Sequence, residues 1–181
     1  MVGKRTFEGD KLITFYYDSD GLFNDVSLMS AYMTKNIKGD SGSLMDEYSI
    51  SDDEKDMYKV CVRQALPNIY EAMMKITFGV ESAFDDDVNI PTKETTGLLR
   101  EAGTYVEFNI LDNSAYNENI LSLVDATLNN CLKYGVLAEF YSVCVNAELY
   151  RLAQDKFTTS LFQLKQRLFQ LKKKTVSSQL S

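Results

Sequence analysis

Residues 146–174 read NAELYRLAQDKFTTSLFQLKQRLFQLKKK, and this stretch decides the fold. Tyr150, Ala153, Phe157, Leu161, Leu164, Leu168 and Leu171 recur at steps of three and four. That spacing stacks side chains on one face of an α-helix. It predicts a long amphipathic helix over about 147–174. Asn146 suits its N-cap, because a side-chain oxygen there accepts from an otherwise unpaired amide of the first turn. Glu148 sits at the positive end of the helix dipole, and Lys172, Lys173 and Lys174 at the negative end. The three lysines read as a solvated, dipole-compensating terminus, with a basic contact as the alternative.

Immediately upstream, Leu121, Val124, Leu128, Cys131 and Leu132 form a second stripe that continues through VLAEFYSV. A helix over 117–143 follows, with Gly135 inside it as either a kink or a close helix crossing, at about 1 kcal/mol relative to alanine. The break near 143–146 turns the two helices into an antiparallel hairpin that buries both stripes. A further helix over 51–79 opens at Ser51-Asp52-Asp53-Glu54, a capping-box pattern. Met57, Val60, Cys61, Gln64 and Ala65 follow, and Ile69, Tyr70, Met73 and Met74 carry a second apolar face. Pro67 between them either kinks the helix or restarts it. The methionines read as core filler, with an adaptable partner groove as the other possibility.

Residues 1–50 read as a β-rich arm. KLITFYY is a β-branched and aromatic strand run. The segment around 26–38 is ambiguous, and a β-hairpin with SLMDEYSI across Gly39-Asp40-Ser41-Gly42 is the expectation. TYVEFNI alternates Tyr105, Glu107 and Asn109 against Val106, Phe108 and Ile110, so a strand is expected over 104–111. Residues 80–103, with Asp85, Asp86 and Asp87, Pro91 and a Thr-Lys-Glu-Thr-Thr tract, read as a polar interaction loop. The 181 residues suit a single domain. The expected architecture is α+β and helix-dominated: a helical bundle with a long C-terminal helical hairpin and a small β element.

Composition narrows the chemistry. Nineteen Lys+Arg against 26 Asp+Glu give a net charge of −7, which opposes nucleic-acid phosphates and anionic lipid. No histidine is present, so histidine triads and histidine-ligated zinc are excluded. Cys61, Cys131 and Cys144 are widely spaced within apolar runs and read as buried reduced thiols. No signal-like or membrane-spanning stretch is visible, which points to a cytoplasmic origin. Asp85–Asp87 and Asp18-Ser19-Asp20 offer oxygens for a hard cation. An EF-hand loop counted from Asp18 would place Phe23 and Met29 where glycine and a bidentate glutamate belong. Solvated carboxylates are the expectation, with neither metal nor cofactor. Phosphate-binding glycine loops and nucleophile elbows are missing, and the carboxylates form no paired acid–base pattern, so no enzyme is expected.

The succession VSLMSAYMTKNIKGDSGSLMDEYSI, SDDEKDMYKVCVRQALPNIYEAM, TYVEFNILDNSAYNENILSLVDATLNNCLKYGVLAEFYSV and AELYRLAQDKFTTSLFQLKQRLFQLKKK resembles small virion proteins of tailed phages of gut anaerobes, encoded among head and tail-assembly genes. The resemblance is one of overall character over most of the chain. It is clearest at Tyr134, Val136, Leu137, Phe140 and Tyr141, then at Ala147, Tyr150, Leu164 and Lys172 to Lys174. It carries no functional residue with it. It implies a head–tail connector or neck-ring subunit, assembled in the host cytoplasm and resident in the virion. Its partners would be its own copies, in a ring of about a dozen, and the portal and tail proteins. Each ring subunit needs apolar surface beyond its own core. Phe162 and Phe169, seven apart and off the leucine seam, either supply it or widen the buried stripe. The alternative is a small intracellular helical interaction or regulatory module, with a dimer through 150–171 as its form. An enzyme using Asp85–Asp87 stands third.

Overall fold

The computed structural model describes residues 2–7, 10–35, 48–74, 81–85, 105–111 and 116–172. The chain is a helix-dominated α+β fold with four α-helices and a small antiparallel sheet. Strands β1 (Val2–Phe7), β2 (Asp10–Asp18), β3 (Glu81–Asp85) and β4 (Tyr105–Leu111) lie in the order β1-β2-β4-β3. The helices are α1 (Ser19–Thr34), α2 (Lys55–Met74), α3 (Leu121–Val143) and α4 (Ala147–Lys172).

Helix α3 is the centre of the bundle. Leu128, Cys131, Leu132, Val136, Leu137, Phe140 and Tyr141 are all buried, so it is apolar almost all round, as a helix enclosed by neighbours must be. Helices α1, α2 and α4 all pack on it. Gly135 is a close crossing rather than a kink. A Cβ there would stand 3.0 Å from the Ala65 Cβ of α2 and 3.0 Å from Phe157 of α4. Helix α2 continues through Pro67, whose ring is on the exposed side. The last five residues of the expected 51–79 span lie outside the described residues.

The expected antiparallel hairpin of α3 and α4 is present. Its inward seam on α4 runs through Leu149, Ala153, Phe157, Ser160, Leu164, Leu168 and Leu171. This corrects the phase at one end: Leu149, not Tyr150, is buried, and the small polar Ser160 holds a seam position between Phe157 and Leu164. At the open end of the hairpin, the Asn117 amide donates to the Leu171 carbonyl at 2.7 Å. At the turn, Asn146 caps α4 as expected, its Oδ1 accepting from the Leu149 amide at 3.0 Å.

The same turn closes α3 with a Schellman motif: the Asn146 amide donates to the Tyr141 carbonyl and the Val145 amide to the Ser142 carbonyl. Val145 occupies the left-handed position of that motif, with φ 55°. Glycine is usual there, because a β-branched residue in this conformation is strained by about 1–2 kcal/mol. Val145 is 88% exposed and gains little from packing. Val145→Gly is therefore expected to raise the unfolding free energy by about 1 kcal/mol, less a few tenths for the extra freedom of the unfolded chain. Chemical denaturation with unchanged slope would show it; a loss of stability would contradict the assignment of strain.

The main correction concerns residues 19–34. They form α1, so residues 26–34 are not one arm of a β-hairpin with SLMDEYSI. Asp18 is the N-cap, its Oδ2 accepting from the Gly21 amide at 2.7 Å. Leu22, Phe23, Val26, Ser30 and Thr34 then face inward at helical spacing. The buried hydroxyls turn back on the helix itself: Ser30 donates to the Ser27 carbonyl and Thr34 to the Ser30 carbonyl. That satisfaction lets polar residues occupy core-facing positions. SLMDEYSI does reach α1 at its last two residues, with Ser49 Oγ 3.1 Å from Thr34 Oγ1. The Ser27 hydroxyl donates to the Ile50 carbonyl at 2.6 Å, and the Ile50 amide donates to Ser30 Oγ at 2.9 Å. The capping box at Ser51 forms, with Glu54 Oε2 accepting from the Ser51 amide at 2.8 Å and from its hydroxyl. These two donors hold the Glu54 carboxyl below its ordinary pKa.

A second correction falls in the expected loop over 80–103. Its residues 81–85 form the edge strand β3, paired to β4 with Asp85 opposite Tyr105. Residues 86–103 lie outside the described residues.

Candidate interaction surface

The sheet packs on the bundle through β2 and β4. Ile13, Phe15 and Tyr17 of β2 stand opposite Ile110, Phe108 and Val106 of β4, and all six are buried. The Tyr17 hydroxyl reaches α3, 2.8 Å from Asp125 Oδ1 and 3.0 Å from its carbonyl oxygen. Burial, and next the Asp125 carboxylate, raise the Tyr17 pKa well above the usual phenol value. On the other face, Thr14, Glu107 and Asn109 are buried too. Thr14 Oγ1 donates to Asn109 Oδ1 at 2.8 Å, and Asn109 Nδ2 donates to Glu107 Oε1 at 2.7 Å.

Titration follows from burial. Cys61 and Cys131 are both pushed up to about 12, chiefly by desolvation, and Tyr17 and Tyr58 are raised for the same first reason. Each group binds its proton more tightly folded than unfolded. The stability linked to these protons is therefore complete below the unfolded pKa values, 9.0 for thiols and 10.0 for phenols. It is lost as pH rises through the folded ones. The denaturation midpoint is expected to fall progressively above about pH 9, with Tyr17→Phe flattening the slope above about pH 10. A midpoint constant from pH 8 to 11 would contradict this.

The carboxylates singled out by sequence have separate places. Asp18 caps α1, and Asp20 accepts from Lys55 Nζ at 3.1 Å. The Lys55 ammonium also lies 5.4 Å from the centre of the Phe23 ring, which packs edge-on against Tyr58. These contacts join the start of α1 to the start of α2. Asp85 ends β3, while Asp86 and Asp87 lie outside the described residues. Among the described residues, no three Cys, Asp or Glu side chains gather as a metal site. Cys61 and Cys131 are buried, Cys144 is half-buried, and all three are free thiols. The buried Tyr141 hydroxyl has no hydrogen-bond partner among the described residues. None of the described helices is long and apolar enough to cross a membrane.

Among the described residues, the large apolar side chains that are more than half exposed lie in three places. On α4, Phe162 is 62% exposed and Phe169 54%, so neither widens the buried stripe. On α1, Leu28 and Tyr32, one turn apart, are 58% and 66% exposed. At the α3–α4 turn, Val143 and Val145 face solvent. Sequence reading found the first patch and missed the other two. Leu28 and Tyr32 share an outer face only once 19–34 is a helix. The capping Asp18, followed by Leu22, Phe23 and Val26, was the available signal. Comparison of the chain with models of protein families, with curated proteins and with solved structures gave no match.

Proposed function

We propose that this chain is a non-enzymatic virion structural protein, a head–tail connector or neck-ring subunit that links portal and tail within a ring of about a dozen copies. The observation that carries the reading is the set of exposed apolar patches on separate elements: Leu28 with Tyr32, Val143 with Val145, and Phe162 with Phe169. A subunit that meets several neighbours needs such surface on several faces, whereas one patch serves one partner. The resemblance in sequence character supplies the setting. The excess of acidic residues also suits a ring through which DNA passes without adhering.

The test is genetic. A phage lacking this gene is expected to accumulate filled heads and free tails, and purified protein added to that lysate should restore joined particles. Normal tailed particles from the deletion would overturn the proposal. A variant carrying Leu28→Lys and Tyr32→Lys should fold normally yet fail to restore joining.

A further inference from the structure

We propose that two copies of this chain pair through the outward face of α4, antiparallel and related by a two-fold axis. Glu148, Arg151, Asp155, Thr158, Phe162, Lys165 and Phe169 are all exposed, and half-buried Lys172 continues the row. Their spacing alternates three and four residues throughout, which sets them along one face of the helix. None belongs to the inward seam, which the core consumes. Helix α4 thus carries two seams, one facing α3 and one facing out.

The order of residues along the outward seam selects its occupant. The row is symmetric in spacing about position 160. A second α4 laid antiparallel on the first therefore sets Glu148 against Lys172 of the other copy and Asp155 against its Lys165. The same register sets Arg151 against Phe169 and Thr158 against Phe162. Two layers are opposite charges and one is a guanidinium over an aromatic ring. Parallel pairing would instead set Asp155 on Asp155 and Lys165 on Lys165, like on like. The helix dipoles also oppose parallel pairing. The charge pattern therefore fits a second copy, and fits it in one orientation. Such a contact uses the same patch on both subunits and closes at two copies. It takes up Phe162 and Phe169, one of the three patches on which the virion reading rests; within a ring it would join copies of two rings rather than neighbours in one.

Magnitudes make the pair weak. The seam is about 36 Å long and a helix about 10 Å wide, so its footprint is a few hundred Å² per copy. A standard stable interface covers about 800 Å² per partner. Only two of the eight seam residues are apolar. Each copy carries −7, a repulsion screened beyond about 8 Å at physiological salt. Dimerisation should therefore depend strongly on concentration.

Sedimentation equilibrium of the full chain, up to millimolar concentration in physiological salt, tests this. Wild type is expected to move from the 20.6 kDa monomer toward twice that mass. Asp155→Lys and Lys165→Asp, each altering two symmetric contacts per dimer, should each weaken pairing by about tenfold, or about 1.4 kcal/mol. Combining the two exchanges the charges across the same layer and should restore wild-type pairing. Lys156→Asp, which makes the same charge change as Lys165→Asp but off the seam, should leave it intact. Circular dichroism verifies that every variant keeps its helices. A wild type monomeric throughout, single reversals without effect, or a double variant no better than the singles would each overturn the proposal. Loss of pairing with head–tail joining intact would leave the virion reading standing, and the reverse result would separate the two in the other direction.

Discussion

Gly135→Val is expected to lower the unfolding free energy by about 2–3 kcal/mol, the upper part of the range for overpacking a filled core. At this point α2, α3 and α4 meet. The new Cβ would stand 3.0 Å from the Ala65 Cβ and from Phe157 Cε2, and 3.3 Å from Phe157 Cζ, before either γ-methyl is placed. Ala65 is fully buried and Phe157 nearly so, so neither has an open direction in which to retreat. Valine recovers a few tenths of a kcal/mol of helix propensity over glycine, too little to offset the crowding. Gly135→Ala separates the terms. It gains about 1 kcal/mol of propensity against a single tight carbon, so its net loss should be smaller by at least about 1 kcal/mol. Urea denaturation measures both. A valine variant as stable as wild type would mean that the three helices do not cross this closely.

Asn109→Leu is expected to cost about 2–3 kcal/mol. The leucine preserves approximate volume but withdraws the acceptor from Thr14 Oγ1 and a donor from the Glu107 carboxylate, both buried. Removing one member of a buried polar chain exposes the desolvation cost of the others. Thr14→Val alone removes the donor at the end of the chain and should cost about 1 kcal/mol. The double variant should lose less than the sum of the singles by about 1 kcal/mol, because the Thr14–Asn109 contact is counted in both. Additive losses, or an Asn109→Leu cost under about 0.5 kcal/mol, would show that the chain of hydrogen bonds contributes nothing.

That polar chain marks a limit of sequence reading. The alternation of TYVEFNI identified a strand, and Val106, Phe108 and Ile110 as one face. It gave no sign that Glu107 and Asn109 on the other face are buried as well. Period two reports which residues share a face, not what covers that face. Residues 26–34 failed for a related reason. Ser27, Ser30 and Thr34 place hydroxyls along the inward side of the helix, where apolar residues are the usual signal. In the helix their hydroxyls are satisfied by carbonyls one turn back and by the Ile50 backbone, which no local pattern announces. The exposed pair Leu28 and Tyr32 was lost with them. By contrast Phe162 and Phe169 were half legible: a seven-residue spacing sets them off the leucine seam, yet fits either a wider buried stripe or a solvent face.

By itself, the sequence determined the elements whose signals are local and repeated: the two C-terminal helices, the Asn146 and Ser51 caps, and the β2 and β4 strands. Periodicity and capping depend on neighbours within a turn or two, so they survive without knowledge of the fold. Only the tertiary structure decided that Gly135 is a crossing, that Leu149 rather than Tyr150 is buried, that residues 81–85 join a sheet edge, and which apolar side chains stay in solvent. Those outcomes depend on which surface arrives from a distant part of the chain, and burial is a property of the assembled pair rather than of either segment alone.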